Sequence, residues 1–120
     1  MACDSVIVIT NNPKVLLDYP SARWVSGNAQ KVLLECRKKI HEGYPVLAHP
    51  LMGDLHLLRN PFRTVLLGMK ANQVDLRSLD WIEESIARIR LFCKGHPQSE
   101  EFKDYQLLDL DLFRTSMGFG

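Results

Sequence analysis

The apolar run Val6-Ile7-Val8-Ile9 ends abruptly at Thr10-Asn11-Asn12-Pro13, and this junction constrains the fold more than any other stretch of the chain. Consecutive β-branched residues leave no polar side for solvent, so the run reads as a strand covered on both faces. Asn-Asn-Pro then breaks the strand. Proline fits the first position of a helix, where its missing N–H would have gone unpaired anyway, so Lys14 to Asp18 reads as a short helix. A doubly covered strand followed at once by a helix is the opening unit of an α/β domain.

The alternation continues. Ala22-Arg23-Trp24-Val25 reads as a second strand, and Asn28 as the N-cap of a helix that places Ala29, Leu33, Cys36 and Ile40 on one face. Lys31, Arg37 and Lys38 fall outside that face, and Gly43 stands where a left-handed helix stop belongs. Tyr44 to Ala48 and Phe62 to Met69 read as the third and fourth strands. From Asp75, the residues Leu76, Leu79, Ile82, Ile86, Ile89 and Cys93 recur every three or four positions, which predicts a helix ending at Gly95 and Pro97. Ser99 can cap a short helix through Phe102 and Tyr105. The following Leu108-Asp109-Leu110-Asp111-Leu112 alternates as an edge strand would.

The expected architecture is therefore α/β: a small three-layer sandwich on a mainly parallel sheet of about four strands. The direction of the fourth strand stays open, because its connection suits neither a tight turn nor a full crossover. Residues 1–97 are expected to form the single α/β domain, and 98–120 a C-terminal extension with a short helix plus an edge strand available to a second copy.

A chain of 120 residues with 46% hydrophobic content is long enough for one core. Fifteen Lys plus Arg against fourteen Asp plus Glu leave a net charge of +1, too little for a field that draws nucleic acid or an anionic membrane. Trp24 and Trp81 are not spaced as a stacking platform and read as packing residues. Cys3, Cys36 and Cys93 show no ligand spacing and suit reduced thiols. The N-terminal apolar run is too short for a secretory signal, and no stretch reaches the roughly 18 apolar residues of a membrane span. The expected location is the cytoplasm.

Candidate chemistry is concentrated in polar, turn-forming residues at the strand ends, where open α/β sheets place their ligands. These are Thr10, Asn11 and Asn12; then His49, Pro50, Gly53 and Asp54 after the third strand; then Asn60 and Arg63 before the fourth. A helix start after Thr10-Asn11-Asn12 favours a small anion, although neither G-x-G-x-x-G nor a P-loop is present. His49 is the one acid–base candidate, with Asp54 to orient it and Arg63 to hold an anion. The plainer role for His49 is to hold its turn. His49, Asp54 and His56 match no helical or tight-turn metal spacing, and no serine has nucleophile-elbow context, so neither metal nor cofactor is expected.

Three of these segments also carry a family resemblance. A strand followed by Thr10-Asn11-Asn12-Pro13-x-Val15, then His49-Pro50-Leu51-x-Gly53, then Asn60-Pro61-Phe62-Arg63-Thr64 before an apolar strand resembles the GrdX family. These are small proteins linked to the glycine, sarcosine and betaine reductase systems of anaerobic bacteria. The resemblance spans Val6 to Lys94 and leaves the tail after Pro97 as this chain's own extension. It departs from the family pattern at Asp54-Leu55-His56-Leu57-Leu58-Arg59. It implies a cytoplasmic accessory or regulatory protein, binding a small polar ligand or a reductase component, and supplies no catalytic assignment. The alternatives are an enzyme acting on a small amino-acid derivative or phosphorylated metabolite through His49, and a homodimer built through the C-terminal extension.

Overall fold

In the computed structural model the protein is described over residues 6–48, 60–92 and 99–117. Its elements are β1 (Ile7–Thr10), α1 (Pro13–Asp18), β2 (Arg23–Trp24), α2 (Ala29–Glu42), β3 (Val46–Ala48), β4 (Thr64–Leu67), α3 (Leu76–Phe92) and α4 (Ser99–Ser116). The helix starts expected from asparagine form as such. Asn12 caps α1 by accepting from the Lys14 N–H at 3.0 Å, with Pro13 in the first turn, and Asn28 caps α2 by accepting from the Lys31 N–H at 3.1 Å.

The four strands lie in the order β2-β1-β4-β3. β1 runs parallel to β2, with Thr10 opposite Trp24, and antiparallel to β4, with Ile7 opposite Leu67 and Thr10 opposite Thr64. β3 is antiparallel to β4, with an irregularity between Val46 and Ala48. The expected α/β class and strand number hold, but the sheet is mixed rather than mainly parallel, because β4 runs against its neighbours on both sides. A strand buried on both faces looks the same read in either direction, so Thr64-Val65-Leu66-Leu67 carries no mark of its own orientation.

Alternation along the strands sends side chains to two separate cores. Ile9, Val65 and Leu67 face α2 and α3, where they meet Val32, Leu33, Cys36, Ile40, Ile82, Ile86 and Ile89. Val8 and Leu66 face the other way, toward Val15 of α1 and Leu110 and Phe113 of α4. The result is the expected three layers. Each fully buried aliphatic or phenyl side chain contributes about 1.5–3 kcal/mol relative to exposure. Cys36 is one of the core residues; burial, with a smaller contribution from Glu35, pushes its thiol well above the usual range, so it packs as a small hydrophobe. Cys3 and Cys93 lie outside the described residues.

Two expectations are corrected here. Leu108 to Leu112 is no edge strand: it lies inside α4, an 18-residue helix where only a short one was expected. Asp109 and Leu110 are both buried, Leu107 and Leu108 are exposed, and Phe113, three residues on from Leu110, completes the buried face. The apparent alternation arises because an aspartate is buried for its hydrogen bonds beside a leucine buried for its apolar surface. Arg114 holds this helix to α1 through a two-pronged pair with Asp18, at 2.7 and 3.1 Å, and lowers the Asp18 carboxyl below its usual range. Trp24 is the second correction, since it is 48% exposed rather than a packing residue, whereas Trp81 packs against the larger core.

Gly43 ends α2 at φ +112°, with the Tyr44 N–H donating back to the Lys39 carbonyl at 3.1 Å. Its own carbonyl accepts from the Ala71 N–H at 2.9 Å, and a Cβ at this position would run into the Ala71 carbonyl oxygen. Gly43→Ala therefore combines a strained backbone with a backbone clash, and we expect a loss of about 1–3 kcal/mol in urea unfolding. An unchanged midpoint would show that the 43–71 contact gives way at no cost. Among the described residues, no helix is long and apolar enough to cross a membrane.

Candidate functional site

β1, β2 and β3 end, and β4 begins, at one edge of the sheet, which brings Thr10, Trp24, Ala48 and Thr64 to the same side. Ala48 and Asn60, the described residues that flank 49–59, belong to this edge. The polar residues beyond β1 fold back into it rather than out to solvent: Thr10, Asn11, Asn12, Asn60, Arg63 and Thr64 are all at most 4% exposed. Buried polar groups persist only when their hydrogen bonds are made, and here the amides and hydroxyls bond one another and neighbouring groups, mostly backbone carbonyls.

Asn11 is the clamp. Its side-chain amide donates to the carbonyls of Gly27 at 2.8 Å and Pro61 at 2.9 Å, and its side-chain oxygen accepts from the Arg63 N–H at 2.8 Å. One side chain thus ties the turn before α2 to the segment entering β4. Asn60 works alongside it, accepting from the Phe62 N–H at 2.9 Å and donating to the Tyr105 carbonyl of α4 at 3.0 Å.

A second set of bonds forms a directed chain. The Asn12 N–H donates to Thr10 Oγ1 at 3.0 Å, and Thr64 Oγ1 donates to Asp109 Oδ2 at 2.7 Å. Since the Thr64 proton is committed to the carboxyl, the 2.8 Å contact between the two threonine hydroxyls is donated by Thr10. Asn12 closes the loop by donating its amide both to Asp109 Oδ2 at 3.0 Å and to the Gln106 carbonyl at 2.9 Å. Asp109 is 2% exposed, and burial raises its pKa above the usual carboxylate value, against the lowering effect of the Thr64 and Asn12 hydrogen bonds and the Arg63 charge.

Of the candidate residues, the fold brings together Thr10, Asn11, Asn12, Asn60 and Arg63; His49, Pro50, Gly53 and Asp54 lie outside the described residues, as does His56. Two members of the cluster were missing from the expected set. Thr64 adjoins Arg63 in the same motif, and Asp109 was hidden in a segment read as a strand. Chemically the cluster is a frame: its amides and hydroxyls are committed to neighbouring groups, so it fixes the chain at the sheet edge and leaves recognition to what it supports. Among the described residues, no group of His, Cys, Asp and Glu is placed to hold a metal ion.

A family model described as GrdX-like protein matches residues 7–118. The chain belongs to the GrdX-like family. No curated protein and no solved structure matches it. The family match runs from β1 through α4, so the helix that carries Asp109 lies within the shared region rather than in an extension peculiar to this chain.

Proposed function

We propose that this member of the GrdX-like family is a noncatalytic accessory or regulatory protein of a glycine, sarcosine or betaine reductase system. It binds a small polar ligand or a reductase component through the loops at the carboxyl edge of β1, in the cytoplasm. Family membership supports the reductase association. The observation that supports the site is the Asn11 clamp, which spends a buried side chain on holding two loop segments against each other. Structure of that kind fixes a recognition surface on a rigid frame, as binding loops on α/β scaffolds require. In this reading His49 and Asp54 supply the contacts, and Thr10, Asn11, Asn12, Asn60 and Arg63 hold the frame.

The test is capture of purified reductase components on the immobilised chain, alongside thermal unfolding with glycine, sarcosine, betaine and acyl phosphates. A ligand at about 100 times its Kd adds roughly 2.7 kcal/mol, well within the resolution of a melting curve. We expect capture or a shift with the native chain, and its loss in His49→Ala with cooperative unfolding retained. If the native chain captures no component and responds to none of these compounds, the reading fails. If His49→Ala behaves as the native chain does, binding lies elsewhere on the surface.

A further inference from the structure

Among the described residues β2 is an edge strand, with β1 on one side and no strand on the other. Beside it, between β2 and α2, opens a cavity of about 790 Å³ lined by Trp24, Arg23, Lys31, Glu35, Arg37 and Lys38 among others. That volume is within the range of roughly 300–1,000 Å³ typical of small-ligand sites. Trp24 contributes an aromatic surface, and at 48% exposure it retains much of its area for a partner.

The charges around the ring are unequal in their commitments. Arg37 pairs with Glu83 at 3.2 Å and Lys38 with Glu35 at 3.3 Å. Arg23 and Lys31 have no acidic partner among the described residues. Lys31 is also held in place from below. Its stem crosses Gly27 so closely that a Cβ there would lie 2.6 Å from Lys31 Cγ, and the Gly27 carbonyl is in turn gripped by Asn11 at 2.8 Å. The cavity wall is therefore built on the same clamp that organises the sheet edge.

Two unpaired cations next to an exposed indole call for a ligand with about two negative charges and a planar ring. We propose that this cavity binds a nucleoside monophosphate, its base stacked on Trp24 and its phosphate between Arg23 and Lys31. A phosphate monoester carries about −1.5 to −2 charges at pH 7, which two cations balance. Inorganic phosphate would leave the ring unused, and an acidic peptide offers carboxylates without a base to stack. None of the three principal residues belongs to the loop site proposed above, so the two readings stand or fall separately.

The experiment is isothermal titration of the full chain with adenosine 5′-monophosphate, with inorganic phosphate and a poly-glutamate peptide as comparators. Binding is expected to be tightest for the nucleotide and to weaken below about pH 6 as the phosphate takes up a proton. Trp24→Ala should weaken it about 5- to 150-fold, the share of a base–aromatic stack. Arg23→Gln combined with Lys31→Gln should abolish it, while unfolding of both variants stays cooperative because the substituted side chains are exposed. The proposal is overturned if the nucleotide gives no heat at millimolar concentration, or if phosphate or the peptide binds as tightly. Retention of native affinity in either variant overturns it as well.

Discussion

Asn11→Asp is expected to destabilise the fold by about 3–5 kcal/mol, the range seen when a buried charge is left without compensation. The two side chains are almost the same size, so no cavity or overpacking enters the comparison. Only the hydrogen-bonding character changes. Asn11 is 4% exposed and donates to the Gly27 and Pro61 carbonyls at 2.8 and 2.9 Å. A carboxylate in its place has no proton for either carbonyl and sets oxygen against oxygen at both contacts. The bond from the Arg63 N–H, at 2.8 Å, survives. Asn11→Ala loses all three bonds without the repulsion, and each buried group left unpaired costs about 1–3 kcal/mol. We therefore expect urea unfolding to place both variants well below the native chain, with the Arg63 N–H bond kept in aspartate alone. Since domains of this size are stable by only about 5–15 kcal/mol, the aspartate variant should sit near the limit of folding. A loss below about 1 kcal/mol for aspartate would show that the clamp contributes little and that its two segments are held by other contacts.

The parts of this fold that were legible in the sequence are those in which local chemistry and tertiary structure ask for the same residue. Asn12-Pro13, Asn28 and Gly43 mark helix ends because capping and left-handed geometry are properties of a few adjacent residues. The spacing of Leu33, Cys36 and Ile40, and of Ile82, Ile86 and Ile89, predicted helix faces that are in fact buried. What could not be read depends on partners distant in sequence. The direction of β4 is set by its register with β1, from which it is separated by more than fifty positions. Asp109 shows why α4 looks like a strand locally: its burial depends on Asn12 and Thr64, 97 and 45 positions away, and no local pattern announces that a charged residue turns inward. The candidate site was legible to the same extent. Thr10, Asn11, Asn12, Asn60 and Arg63 stand in the sequence as polar residues at strand ends, and they do gather there. Their burial and hydrogen-bond partners follow from the sheet order and from the packing of α4, which the motifs do not encode.

Asp109 also gives the fold a distinctive response to pH. Burial raises its pKa in the folded state above the value of 3.8 for a free carboxyl, so the folded protein holds this proton more tightly than the unfolded chain does. The stabilisation linked to the proton is complete below the unfolded pKa and is lost as pH rises through the folded one. Asp18 and Asp75 act in the opposite sense. Their carboxyls are lowered, by Arg114 and by the Ser78 hydrogen bonds respectively, so their contributions are present above the unfolded pKa and lost on acidification. The total stability curve mixes both signs, but the difference between the native chain and Asp109→Asn isolates the buried group. Asparagine retains a side-chain oxygen to accept from Thr64 and Asn12 and removes the titration. Relative to this variant, the native chain should be most stable at low pH and should lose ground steadily from about pH 3.8 upward. Asp109→Ala provides the second arm. It strips the acceptor from the Thr64 hydroxyl and the Asn12 amide together, at about 1–3 kcal/mol for each group left unpaired, so relative to Asp109→Asn it should be destabilised by roughly 2–6 kcal/mol at every pH. A native-minus-asparagine difference that rises with pH would mean that Thr64, Asn12 and the buried Arg63 charge favour the carboxylate more than burial opposes it. In that case α4 is held to the sheet by an ionised group, and the frame at the sheet edge is an ion-supported one.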